Sequence, residues 1–189
     1  MTYLPGLAPA APTGDTHDGS GDEWYTPPDV WRAVRLALGK HIIDPCWSPL
    51  SPVTPDRKID TREGGDGLSD PWGPLKYAAF VNPPYSDTGR WLGRCAAEYR
   101  RGRAVIALVP MRPETEAWFK YVWPAAEIIQ PIGRIRFVGR DGNVHGNGMI
   151  TTCFVVWNPK SHTGNVCATL CAELHRPCYY FHGQRLLPF

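Results

Sequence analysis

No stretch of this chain holds about 20 consecutive apolar residues, so the sequence contains no candidate membrane-spanning helix. The opening segment "MTYLPGLAPAAPTGDTHDGS" lacks the apolar run of a secretory signal. The six cysteines lack the spacing of a secreted disulfide scaffold. Internal repeats are absent. The formal net charge is only +2, too small to argue for a nucleic-acid partner by itself. Together these absences point to a cytoplasmic protein with reduced thiols.

What is present is a length of 189 residues, one domain plus tails, with 43% hydrophobic residues to build a core. Eight Trp and eight Tyr indicate a large core, a stacking surface, or both. Arg outnumbers Lys by 15 to 5, and Arg is the planar, bidentate phosphate binder. "GRWLGRCAAEYRRGR" carries Arg90, Arg94, Arg100, Arg101 and Arg103 against the single acid Glu98, and "GRIRFVGR" adds Arg134, Arg136 and Arg140. Solvated faces and a phosphate-binding surface are both open readings of these clusters.

The composition of residues 1–20 reads as a flexible tail. Order is expected to begin at "DEWYTPPDVWRAVRLALGK", with Thr26 as helix N-cap, Pro27 at the first helical position, Val30, Val34 and Leu38 on one face, and Gly39 as the stop. "HIID" reads as a short buried strand ending on Asp44, and residues 45–75 as a long, mostly irregular region. "YAAFV" reads as a strand, followed by a helix capped by Ser86 or Asp87 and ended by Gly102. "AVIALVP" reads as a central parallel strand, "ETEAWFKYVW" as a helix, and "EIIQPI", "RIRFV" and "ITTCFVVW" as strands. This order predicts an α/β doubly wound fold with a mostly parallel central sheet and flanking helices. Ligands of such sheets sit outside the carboxyl ends of the strands, where Asp44, Asn82 and Pro110 converge.

"YAAFV" ends in Asn82-Pro83-Pro84-Tyr85, and two adjacent prolines cannot continue a strand. The Asn82 side-chain carbonyl and the Pro83 backbone carbonyl are two neutral acceptors, the second held in direction by a rigid ring. Two convergent acceptors suit an exocyclic amine, whose lone pair is otherwise delocalised into its π-system. Tyr85 can stack on the planar group. With a strong electrophile such as a sulfonium methyl as partner, no enzyme nucleophile is needed.

The tetrapeptide resembles the (Asp/Asn/Ser)-Pro-Pro-(Tyr/Phe/Trp) motif of S-adenosylmethionine-dependent amino-methyltransferases. "DEWYTPPDVW", "IIDPC", "GDGLSDPW", "FVNPPYSDTGRWL" and "VIALVPMRPETEAWF" occur in the order and spacing that resemble phage-type Dam-like DNA N-6-adenine methyltransferases, over about residues 22 to 157. The resemblance implies a Rossmann-like domain that binds S-adenosylmethionine, assigned to residues 21–160; residues 161–189 read, from their own pattern, as a helical extension packed on it. It implies methyl transfer to N6 of a flipped adenine in DNA, inside a bacterial host if the chain is phage-encoded. By position, Asn82, Pro83, Pro84 and Tyr85 match the catalytic motif. Trp24, Tyr25, Thr26 and Pro27 match the segment over the cofactor, Asp44 and the adjoining Cys46 the first strand's end, and Asp66 the acid near the cofactor's adenine amine. The usual Gly-rich loop after the first strand is missing from "DPCWSPLSPV", and Asp60 and Glu63 are both open for the ribose. Cytosine N4, an RNA base, a protein glutamine, and a non-catalytic DNA-binding protein that keeps the fold are the competing functions.

For DNA contacts the candidates are Arg90, Arg94, Arg112 and Arg134, together with Phe137 and His145 in "IRFVGRDGNVHGNG", a segment whose glycines read as a mobile hairpin loop. Arg112 has a second reading, an ion pair with Glu114 or Glu116. Cys167, Cys171 and His175 recur at i, i+4, i+8 with Cys178 following; this is not the spacing of a zinc site, and a terminal helix packed on the core is the preferred reading. No metal is expected. A chain this short is expected to draw any sequence specificity from loops around 45–75 and 139–148, or from a second subunit.

Overall fold

The computed structural model describes residues 24–144, 150–159 and 165–182; the tail expected over residues 1–20 and the candidate His145 lie outside them. Helix α1, Pro28–Leu38, forms where apolar residues recur at helical spacing, burying Val30, Val34 and Leu38 and stopping at Gly39 with φ 80. Its N-cap is Pro27 with no side-chain cap bond, so the capping role expected of Thr26 is not filled. Thr26 is instead buried at 1% exposure.

Strands β1 (Ile42–Trp47), β2 (Arg57–Asp60), β3 (Ala78–Val81) and β4 (Val105–Pro110) precede β5 (Glu127–Pro131), β6 (Thr152–Trp157) and β7 (Cys178–His182). They form one seven-stranded sheet in the order β2-β1-β3-β4-β6-β5-β7. The pairings among β2, β1, β3 and β4 are parallel, whereas β4 with β6, β6 with β5, and β5 with β7 are antiparallel. The sheet is therefore mixed, which corrects the mostly parallel expectation. An unbroken apolar run such as "VIALVP" reports burial on both faces, not strand direction.

Helix α2 (Thr88–Arg100) covers one face and α1 with α3 (Val166–Glu173) the other. Alternate strand residues feed two cores: Phe80, Ile106 and Leu108 face α1, while Ala79, Val81, Val105 and Ala107 face Trp91 and Leu92 of α2. The helix expected over 114–123 forms over residues 116–122, π-wound from Trp118 to Val122. "RIRFV" forms no strand; Ile135 and Phe137 are buried in the core, but only Val138 pairs, through isolated bridges to Tyr25 and Val144. Beyond α3 the chain does not stay helical: Cys178–His182 is the edge strand β7. Among its described residues the C-terminal segment holds the helix α3 followed by a strand, and His175, at φ 50, lies past the helix.

Candidate active site

The parallel strands bring the carboxyl ends of β1, β2 and β3 to one edge of the sheet. There a cleft of about 220 Å³ opens, lined among others by Trp24, Thr26, Asp44, Cys46, Trp47, Thr61, Arg62, Asn82, Pro84 and Trp91. Asn82 follows the last residue of β3, and Pro83 and Pro84 end the ladder because neither can donate to it. Its amide is fixed: Nδ2 donates to the Trp24 carbonyl at 2.7 Å, which leaves Oδ1 buried without a partner. Tyr85 begins a short 3-10 turn before α2, with the Thr88 hydroxyl donating to its carbonyl at 2.9 Å. Its ring meets Phe137 edge-on at 6.1 Å and 85°. The Tyr85 hydroxyl is also buried without a partner, and burial pushes it far above the ordinary phenol range.

The segment Trp24–Pro27 crosses above this strand end. Tyr25 exchanges two backbone hydrogen bonds with Val138, each 2.9 Å, and so ties the segment to the stretch that follows β5. Trp24, Tyr25 and Thr26 all line the cleft. Pro27 is buried, and its carbonyl accepts from Trp31 inside α1, outside the cleft lining.

Asp44 is 4% exposed, and desolvation pushes its carboxyl up to about 7. Two bonds oppose the shift, both from Cys46 to Oδ1: the backbone N–H at 3.0 Å and the thiol at 3.4 Å. Burial and the Asp44 charge together raise the Cys46 thiol well above its usual range. β1 does not end at Asp44 as expected but runs on to Trp47. The glycine absent after β1 has a counterpart from another segment: a Cβ at Gly67 would overlap the Pro45 carbonyl and crowd Trp91. The "GDGL" loop is thus pressed against β1, and Trp72 Nε1 holds the Gly67 carbonyl at 2.7 Å. Asp66 does not line the cleft. It is exposed, closing its own turn by accepting from Leu68 N–H and the Ser69 hydroxyl, which hold its carboxyl below the usual range.

Of the open ribose candidates, Asp60 lies at the end of β2, 8% exposed, accepting from Arg62 N–H at 3.0 Å. Neither Asp60 nor Glu63 is part of the lining, although Thr61 and Arg62 between them are.

Much of the Arg-rich run is committed internally. Glu98, fully buried, pairs with Arg94 at 3.3 Å, Arg101 at 2.8 Å and Arg103 at 2.9 Å. Arg103 is itself buried and donates to the carbonyls of Gly73, Pro74 and Tyr77. Arg94 also donates to the Asp70 carbonyl at 2.8 Å and lies over Trp72. Arg90 is exposed and pairs with Asp87 at 2.9 Å. Phe137, expected on a mobile hairpin, is 5% exposed within the core. Arg112 is exposed beyond β4 and, among the described residues, has no ion-pair partner, so neither Glu114 nor Glu116 claims it; Arg134 is likewise exposed, after β5. The cysteines are all free, and His175 Nε2 meets Arg32 at 3.0 Å. Among the described residues no cluster of acids, His and Cys could hold a metal ion, and no helix is long and apolar enough to cross a membrane.

A family model described as DNA N-6-adenine-methyltransferase (Dam) matches residues 13–174, most of the 189-residue chain. The chain belongs to the Dam family of DNA N-6-adenine methyltransferases. No curated protein matches it. Membership in the Dam family implies a methyltransferase acting on adenine in DNA, and the match spans all the cleft residues just described. In this Dam-family chain, sequence reasoning missed Trp47, Ser48, Ser51, Thr61, Arg62 and Trp91 as cleft residues. Their only signal was position: Trp47 lies three after Asp44, and Thr61 and Arg62 follow an edge strand with no apolar run to mark it.

Proposed function

We propose that this chain uses S-adenosylmethionine to methylate N6 of an adenine turned out of a DNA duplex, on a Rossmann-like domain spanning residues 21–160. The observation that carries the reading is the Asn82 amide, with its nitrogen engaged and its oxygen buried and unpaired. Leaving a buried acceptor without a donor costs about 1–3 kcal/mol, and such groups are retained where a ligand supplies the partner. An exocyclic amine supplies it. In this reading Asn82 Oδ1 and the Pro83 carbonyl take the two N–H donors and draw the nitrogen toward tetrahedral geometry, so that its lone pair becomes available. Pro84 fixes the direction of that carbonyl, and Tyr85 stacks on the base.

The residues of the cleft fit the cofactor. Asp44 is a buried carboxyl that a cationic centre would ionise, Trp24 and Trp47 are aromatic walls, and Thr26 and Thr61 are hydroxyls at its margin. When bound, S-adenosylmethionine supplies a methyl group on a sulfonium, an electrophile strong enough to need no enzyme nucleophile. The protein's contribution is then positioning and two hydrogen bonds that strengthen as charge develops on N6. Arg112 and Arg134, exposed at this end of the sheet, would meet DNA phosphates. The test is to incubate DNA with methyl-labelled cofactor and identify the labelled nucleoside. N6-methyladenine is expected; label confined to N4-methylcytosine, or no label in any DNA, contradicts the reading.

A further inference from the structure

The register between β1 and β2 places one more residue in this site. Asp44 lies opposite Lys58 and Trp47 opposite Asp60, so three steps on β1 match two on β2. β1 therefore carries one extra residue, a bulge, between these pairs. Residues three apart in a regular strand point to opposite faces; the extra residue returns Asp44 and Trp47 to one face, and both line the cleft. Pro45, with no N–H to give a ladder, sits within this irregular stretch, the place in a strand where proline is tolerated.

The Trp47 ring is immobilised before any ligand arrives. Its Nε1 donates to the Val53 carbonyl at 3.0 Å, and Lys58 Nζ stands 3.5 Å from the ring centroid, covering one face. The remaining ring surface lines the cleft together with Thr61 and Arg62. The two ends of the cleft differ in charge preference: Asp44 attracts a cation, whereas Lys58 and Arg62 repel one. With the bulge, this stretch of β1 spans only two regular steps of β2, about 7 Å at about 3.3 Å per step, a separation that fits a planar ring joined through a short link to a cationic centre. A ligand with a cationic centre at one end and a neutral planar ring at the other has one favoured direction in such a site.

Resting on the cofactor reading above, we propose that Trp47, backed by Lys58, is the stacking platform for the cofactor's purine ring, with Asp44 setting the ligand's direction. The platform is a positioning element, so its test is binding. Calorimetry with S-adenosylmethionine compares the full chain with Trp47→Leu and Trp47→Phe. Loss of one base–aromatic stack weakens binding about tenfold, so that loss is expected for Trp47→Leu, while Trp47→Phe, which keeps a ring, stays within about threefold of the parent. A second measurement does not depend on the Leu variant folding: adenosine quenches tryptophan emission in the parent chain, and in Trp47→Phe most of that quenching is gone. Equal affinity of Trp47→Leu and parent, or equal quenching in parent and Trp47→Phe, overturns the platform and leaves the cofactor reading standing. A parent chain that binds no S-adenosylmethionine overturns both.

Discussion

Asn82 follows the end of β3 and Asp44 lies within neighbouring β1; each places a polar atom out of reach of water, but they answer to opposite demands. Asn82 is neutral at every pH and presents an acceptor; Asp44 is a carboxyl that desolvation holds near neutrality, at about 7. In the free protein Asp44 binds its proton more tightly than in the unfolded chain. Its contribution to stability is therefore full below pH 4 and is lost as pH rises toward 7, by up to about 4 kcal/mol. Asp44→Asn removes that slope, which denaturant unfolding across pH 4–8 measures. A cationic ligand reverses the preference, because a positive charge beside Asp44 favours its ionised form. Affinity for S-adenosylmethionine is thus expected to rise up to about tenfold per pH unit below 7 and to level off above it, with a proton released on binding. Calorimetry in two buffers of different ionisation enthalpy counts that proton. At this scale the sequence was informative where chemistry is local: Asn-Pro-Pro-Tyr announces a terminated strand with paired acceptors. It was silent on Trp47, whose place in the cleft depends on a strand bulge that no residue type marks, and on Arg62, which follows a short, mostly exposed edge strand. For Phe137 the glycine-rich neighbourhood suggested a mobile loop, whereas the ring is buried and packs edge-on to Tyr85.

Elements are held to the site by two devices, each open to a direct test. The first is the close approach of the 64–70 loop to β1. Gly67→Ala places a methyl group against the Pro45 carbonyl and is expected to destabilise the protein by about 1–3 kcal/mol, read from the midpoint of urea unfolding. The second is Glu98 of α2, which binds Arg103 in the chain just before β4, whose guanidinium in turn holds three carbonyls ahead of β3. Glu98→Ala leaves a buried guanidinium without its acid and is expected to cost about 3–5 kcal/mol. Asp87→Ala, which breaks the exposed pair with Arg90, is expected to cost under about 1 kcal/mol. Similar losses in the two variants would contradict the structural role assigned to Glu98. The charge pattern could not reveal this arrangement, because one buried acid neutralises three cations that the sequence shows only as a basic run. Helices α1 and α2 and strands β3 and β4 were readable from apolar periodicity. Strand β2 was not, since most of its short length is exposed at the sheet edge, and β7 was masked by cysteines that mimic a helical repeat.

On the scale of the whole molecule, parallel β2-β1-β3-β4 builds the cleft, and the antiparallel half carrying β6, β5 and β7 supports the segment that packs on Tyr85. Phe137 and Val138 link the halves: one meets Tyr85, and the other clamps Tyr25, whose neighbour Trp24 holds the Asn82 amide. The central claim is that Asn82 Oδ1 is an acceptor kept for the methyl-receiving amine, and Asn82→Ala tests it most directly. Methyl transfer to DNA and calorimetric binding of S-adenosylmethionine are measured side by side on parent and variant. The account predicts transfer reduced by at least about 100-fold, the scale expected when an interaction specific to the transition state is removed, with cofactor affinity changed by less than about threefold. Transfer at the parent rate in Asn82→Ala would contradict it.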